Sequence, residues 1–181
     1  SSDGDAVSRI RQLEDQVFES KKHLNNVVDI LEFAKSDDPK TVYSSIHALL
    51  RIYTPFIKDG TTREKAAQDE QAEVAPAKAK VDQWVRKKYS QFHATLNSLL
   101  RHDNTTLQVA AARIFMQLIE KESMASSELS GSYRFAHGTY RRVLRTVLST
   151  PQLSDELCHL LVNSYLNTYD DLRYYFFEIA T

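Results

Sequence analysis

Apolar residues recur along this chain at helical steps, and in three places at the same steps. Val42, Ile46, Leu49, Leu50 and Tyr53 form the first set; Leu107, Ala111, Ile114, Phe115 and Leu118 form the second. Leu153, Leu157, Leu160, Leu161 and Ser164 form the third, with the steps 4, 3, 1 and 3 kept throughout. That spacing places each set on one face of a helix. An aspartate, Asp38 or Asp103, stands four residues ahead of the first two sets; the third lacks it and ends on a polar serine. The sets start 65 and then 46 residues apart. A period near 46, stretched where a polar insertion intervenes, lies in the range of HEAT or armadillo repeats. The pattern predicts an all-α, HEAT/armadillo-like single domain over 1–181, with about six to eight helices in antiparallel pairs.

Between these sets the pattern predicts further helices. Ile10, Leu13 and Val17 step by 3 and 4 from Val7 to about Phe18, and Leu24, Val27, Val28, Leu31 and Ala34 continue the stripe. Ser36-Asp37-Asp38-Pro39 reads as a helix start, because a short acceptor side chain caps free N–H groups and proline suits the first helical position. The helix that follows is expected to stop or kink by Pro55. Trp84, Val85, Tyr89, Phe92, Leu96, Leu99 and Leu100 trace another, and Asp103-Asn104 opens the next, to about Glu122. Phe135 to Leu148, Ser154 to Asn167 and a last segment opening at Asp170 or Asp171 complete the set. Two stretches break the pattern. Residues 58–80 hold one valine and no aromatic, and too little apolar area to offset their ordering entropy, so they read as a flexible insertion outside the core, a loop or a partly frayed helix. Residues 123–132, rich in serine, read as a loop.

Composition agrees with the helical reading. Four glycines in 181 residues fall well below the usual share of about 7%, too few for a β-rich fold with many tight turns. The formal charge of −1 exerts no global pull toward nucleic acid or membrane. No apolar run approaches the length of a membrane span, about 18 residues. The single cysteine, Cys158, excludes an internal disulfide and fits a reducing compartment; a buried structural role is expected for it. The chain opens on Ser1 rather than Met, which predicts a piece of a longer protein.

Candidate chemistry is sparse. No two of the six histidines stand at the i, i+4 spacing that would share a metal, and no paired-cysteine set exists. Cys158 and His159 are neighbours on a helix and point about 100° apart, which rules out a local nucleophile–base pair. Glycine-rich phosphate loops are absent. No enzyme activity, metal or cofactor is expected. Two basic clusters remain: Arg86-Lys87-Lys88 beside Trp84, and Arg141, Arg142 and Arg145, whose spacing puts them on one helix face. They are candidate contacts for RNA phosphates or a protein partner; the alternative is a solvated outer face.

The C-terminal end is aromatic, with Tyr165, Tyr169, Tyr174, Tyr175, Phe176 and Phe177. Four consecutive aromatics wrap a helix all the way round, so one core face cannot take them. A helical array needs polar caps at its ends. Tyr169, Tyr174, Tyr175, Phe176 and Phe177 are therefore the candidate packing surface for a continuation beyond Thr181 or for a partner.

Three motifs in order carry a family resemblance: Asn26-Val27-Val28-Asp29-Ile30-Leu31, Val81-Asp82-Gln83-Trp84-Val85-Arg86-Lys87-Lys88-Tyr89, and Tyr169-Asp170-Asp171-Leu172-Arg173-Tyr174. Across residues 24–181 the chain resembles the N-terminal region of the nucleolar complex protein 4 family. The resemblance implies a scaffold of the nucleolus, within the nucleus, in the small-subunit processome. It implies a role in 18S pre-rRNA processing and 40S assembly, with other processome proteins and a Nop-fourteen-type nucleolar partner bound mainly beyond this segment. Weak rRNA contact is expected, and no membrane contact. The competing expectation is a HEAT-type adaptor for nuclear transport or vesicle traffic.

Overall fold

The computed structural model describes residues 2–63 and 75–181. They form α1 (Ser2–Glu19), α2 (Asn26–Phe33), α3 (Pro39–Lys58), α4 (Pro76–Leu99), α5 (Thr105–Ser130), α6 (His137–Ser149), α7 (Asp155–His159) and α8 (Asp170–Ala180). A 3-10 turn at Lys21–His23 joins α1 to α2, and α7 runs on as a π-helix over Leu160–Leu166. There is no β-strand among the described residues, so the all-α repeat fold stands as expected.

The two strongest copies of the repeated pattern are the two central helices. Val42, Ile46, Leu49, Leu50 and Tyr53 of α3 and Leu107, Ala111, Ile114, Phe115 and Leu118 of α5 are all buried. α3 packs directly on α5, on α1 and on α2; α5 also meets α4, α6 and α7. In the weaker third copy, Leu157, Leu160 and Leu161 are buried, Leu153 is half-buried and Ser164 is exposed. Polar staples fix how these helices meet. Arg51 of α3 grips Glu14 of α1 with two hydrogen bonds, Nε–Oε1 at 2.5 Å and Nη2–Oε2 at 2.9 Å. Gln108 of α5 donates to the Leu100 carbonyl at 3.0 Å and accepts the Ser154 amide at 3.1 Å, tying the end of α4 to the start of α7.

The helix starts follow the capping residues. Asp38 accepts from the amides of Lys40 and Thr41 ahead of α3, with Pro39 at the first turn. Asn104, rather than Asp103, accepts from the Leu107 amide at 3.1 Å and caps α5.

Several expectations need correction. Pro55 does not end α3, which continues to Lys58. Pro55 lies on the exposed side, where the Arg51 carbonyl it fails to pair can meet water, while Ile57 beyond it is buried. Of the two forms expected for 58–80, loop or partly frayed helix, both described edges are helical, with Lys58 closing α3 and Pro76 opening α4. Alanine and lysine favour helix, proline suits its first turn, and Lys78 pairs with Asp82 one turn on at 2.9 Å. Residues 59–63 form a turn, and residues 64–74 lie outside the described residues. The loop expected at 123–132 is mostly helix, since α5 runs to Ser130 and ends on Gly131 in the left-handed conformation, φ 68°. The serines explain both the loop-like sequence and the fold. Ser123 and Ser127 return their hydroxyls to the Ile119 and Ser123 carbonyls (2.6 and 2.7 Å) and also accept the Ala136 and Arg134 amides (3.0 and 2.8 Å). Residues that look like loop formers hold the following loop onto the helix. Cys158 is exposed rather than buried; its neighbour Leu157 takes the core position, which turns Cys158 about 100° outward.

Candidate binding clefts on either side of α5

The two basic clusters lie on different helices, α4 and α6, and the fold brings part of each to one place. Arg86 and Lys87 of α4 and Arg142 of α6 line a cleft of about 500 Å³, together with Arg63 from the turn after α3. Arg86 Nη1 reaches the Thr61 carbonyl at 3.4 Å, which connects α4 to that turn. Lys88 goes elsewhere, with its ammonium 5.8 Å from the Trp84 ring centre and 3.1 Å from Gln91 Oε1. Arg141 and Arg145 are exposed on α6 outside the cleft. Arg142 is exposed like its two neighbours, but it alone also lines the cleft, because it has a partner on α4.

That partner is His93. Arg142 Nη1 lies 3.0 Å from His93 Nδ1, and since a guanidinium only donates, Nδ1 accepts and the ring carries its proton on Nε2. Nε2 sits 3.5 Å from Glu122 Oε1 without a formed hydrogen bond, and it is fully shielded from solvent. Glu122 also accepts from the Tyr89 hydroxyl and, at 2.6 Å, from the Thr139 hydroxyl. Burial by itself would raise the Glu122 carboxyl, but His93 beside it and the hydrogen bonds from Thr139 and Tyr89 hold it below its ordinary value. Burial, followed by the charge of Glu122, pushes the Tyr89 phenol far above its usual range. The floor of the cleft is thus a satisfied carboxylate joining α4, α5 and α6, and the rim carries the surplus positive charge. Among the described residues, no group of His, Cys, Asp and Glu could hold a metal ion.

The opposite side of α5 has a different character. A groove of about 600 Å³ runs between α5, the loop before α6 and the start of α8. Tyr133 donates to Asp171 Oδ2 at 2.9 Å across it; desolvation and the adjoining carboxylate push the phenol up to about 12.

The aromatic end divides between core and surface. Tyr175 stacks on Phe135, 4.4 Å between ring centres, and Phe176 packs half-buried against the core. Tyr169, Tyr174 and Phe177 remain 52%, 67% and 60% exposed. Three of the five candidates therefore present apolar rings to solvent.

His93, Glu122 and Thr139 were not among the candidates. His93 could have been found one turn after Tyr89 on the apolar stripe of α4, a place where an imidazole needs a partner. Glu122 and Thr139 carry no local signal.

A family model described as Nucleolar complex protein 4-like, TPR repeats, matches residues 1–181. An uncharacterized protein of Schizosaccharomyces pombe is 28% identical over 172 residues, covering 93% of this chain and 34% of its own length. Nucleolar complex protein 4 homolog A of Xenopus laevis is 29% identical over 170 residues (88% of this chain, 31% of its own). The Homo sapiens nucleolar complex protein 4 homolog is 27% identical over 178 residues (94% and 34%). The chain spans about a third of the length of these relatives. No solved structure matches.

Proposed function

Because the chain belongs to the nucleolar complex protein 4 family, we propose that it serves as a non-enzymatic scaffold in nucleolar ribosome biogenesis. Its place would be the small-subunit processome, during 18S pre-rRNA processing and 40S assembly, alongside a Nop-fourteen-type partner. The observation that carries an RNA contact is the meeting of Arg86 and Lys87 with Arg142 at one cleft, with Arg141 and Arg145 exposed on the same helix as Arg142. Two helices thereby present cations at separate points, as a phosphate backbone requires. Such contacts position a protein without reading bases. The exposed Tyr169, Tyr174 and Phe177 supply a protein-docking face.

Reversal of Arg86, Lys87, Arg141 and Arg145 to Glu, with Arg142 left in place, tests the reading. Binding of a single-stranded RNA should weaken in the variant. For the unaltered chain, log affinity should fall with log salt by about 0.7 per phosphate contact, with little sequence preference. Binding that ignores salt, or survives the four reversals, removes the RNA role. Capture from nucleolar extract should recover precursor rRNA and processome proteins; recovery of transport or coat factors instead would favour an adaptor.

A further inference from the structure

The groove on the far side of α5 is built differently from the basic cleft. Met116, Ile119, Met124, Phe135, Tyr165 and Tyr169 make it apolar. Both methionines of the chain are among them, and methionine's unbranched, polarizable side chain adapts to varied apolar partners. Met116 and Ile119 are buried and form the floor; Met124, Tyr133 and Tyr169 are exposed at the rim. Every charged residue lining the groove is acidic: Glu120, Glu128 and Asp171. Asp171 is occupied by Tyr133. Glu120 and Glu128 are exposed and have no ion-pair partner among the described residues. Along α5, from Met116 to Glu128, the groove runs for about 18 Å, or roughly three turns of a facing helix.

We propose that this groove is a docking site for a basic amphipathic helix of another protein, one that sets an apolar stripe on Met116, Met124 and Phe135 and brings Lys or Arg to Glu120 and Glu128. The floor and rim select an apolar stripe of about three turns. The Glu120 and Glu128 carboxylates select its flanking charge, since like charges brought together at an interface are rejected. The site is independent of the RNA reading, which rests on the opposite side of α5.

The test uses a fluorescein-labelled helical peptide with Leu at i, i+3, i+4 and i+7 and Lys at its remaining polar positions. A second peptide carries Glu in place of each Lys. The chain should bind the Lys peptide with one-to-one stoichiometry, and at least about tenfold more tightly than the Glu peptide. Glu120→Lys with Glu128→Lys, both exposed changes, should lose that preference and transfer it to the Glu peptide, while helicity by circular dichroism stays the same. Met124→Asp, elsewhere on the rim, should weaken both peptides and serves as an independent reading should the double variant fold poorly. Arg86→Glu with Lys87→Glu should leave peptide binding intact. The proposal fails if the two peptides bind alike, if neither binds, or if the charge reversal changes nothing. It also fails if the chain sediments as a dimer that Met124→Asp dissolves, because the occupant is then a second copy.

Discussion

The Tyr140 hydroxyl of α6 donates to the Leu172 carbonyl at 2.6 Å, a buried hydrogen bond between residues 32 apart in sequence. It anchors the first turn of α8, and with it the aromatic end and one wall of the acidic-rimmed groove. Tyr140→Phe keeps the ring, which meets Phe135 edge-on at 5.4 Å, and removes only the donor. The expected cost is about 0.5–1.5 kcal/mol. Hydrogen exchange should quicken over residues 170–180 and leave α3 and α5 unchanged. Loss of protection throughout the chain would show that the bond supports the whole fold instead.

Glu122 should be the most sensitive polar position. Glu122→Ala strands the Tyr89 and Thr139 hydroxyls and the His93 edge, and should cost about 3–5 kcal/mol, as loss of one member of a buried charged network does. Its folded-state value is depressed below 4.5, so its contribution is fully present above about pH 4.5 and lost as pH falls through the lower folded value. Denaturant midpoints measured from pH 7 to pH 3 should fall for the unaltered chain. Glu122→Gln should be less stable at pH 7 and should show a shallower fall below pH 4.5.

The three arginines of α6 should behave unequally. Arg141→Glu and Arg145→Glu, at exposed positions, should each change stability by no more than about 0.5 kcal/mol. Arg142→Glu removes the donor to His93 Nδ1 and sets a second carboxylate in the Glu122 cluster, with an expected loss of about 2 kcal/mol or more. Equal effects in urea titration would mean that Arg142 is as free as its neighbours.

Leu49 is fully buried in α3, at the centre of the first copy of the repeated pattern. Leu49→Ala should cost about 2–5 kcal/mol. A loss below 1 kcal/mol in the same titration would show that the α3–α5 interface collapses around the missing side chain.

The central helices were legible because their burial has the helix period: every position of the first two apolar sets lies in the core, and Asp38 and Asn104 announce where α3 and α5 begin. What escaped depends on contacts distant in sequence. Ser123 and Ser127 look like loop residues until the amides of 134 and 136 are seen to land on them. Arg142 looks interchangeable with Arg141 and Arg145 until His93, 49 residues earlier, is seen to accept from its guanidinium. Glu122 looks like a surface acid near a helix end; only its two hydroxyl donors, Tyr89 and Thr139, and the adjoining His93 mark it as interior. The basic clusters were visible as composition, but their convergence on one cleft is a property of how α4 and α6 pack. The Tyr174–Phe177 run is too large for one face, as four consecutive aromatics imply: Tyr175 and Phe176 are half-buried, Tyr174 and Phe177 exposed.

The π-helical stretch at Leu160–Leu166 has a genetic implication. There the Asn167 amide reaches back five residues to the Val162 carbonyl at 2.9 Å, so the loop closed by that bond holds one residue more than its α-helical counterpart would. Removing one residue from this stretch, a single codon, is the smallest change expected to let it close as an ordinary helix. Deleting that codon would rotate everything after Leu166 by about 100°, carrying Tyr169 and Asp171 away from the groove they wall and breaking the Tyr140–Leu172 bond. A reading-frame-neutral change of three nucleotides, far smaller than any domain rearrangement, would thus be enough to erase the proposed docking groove while leaving α1 to α5 as they are.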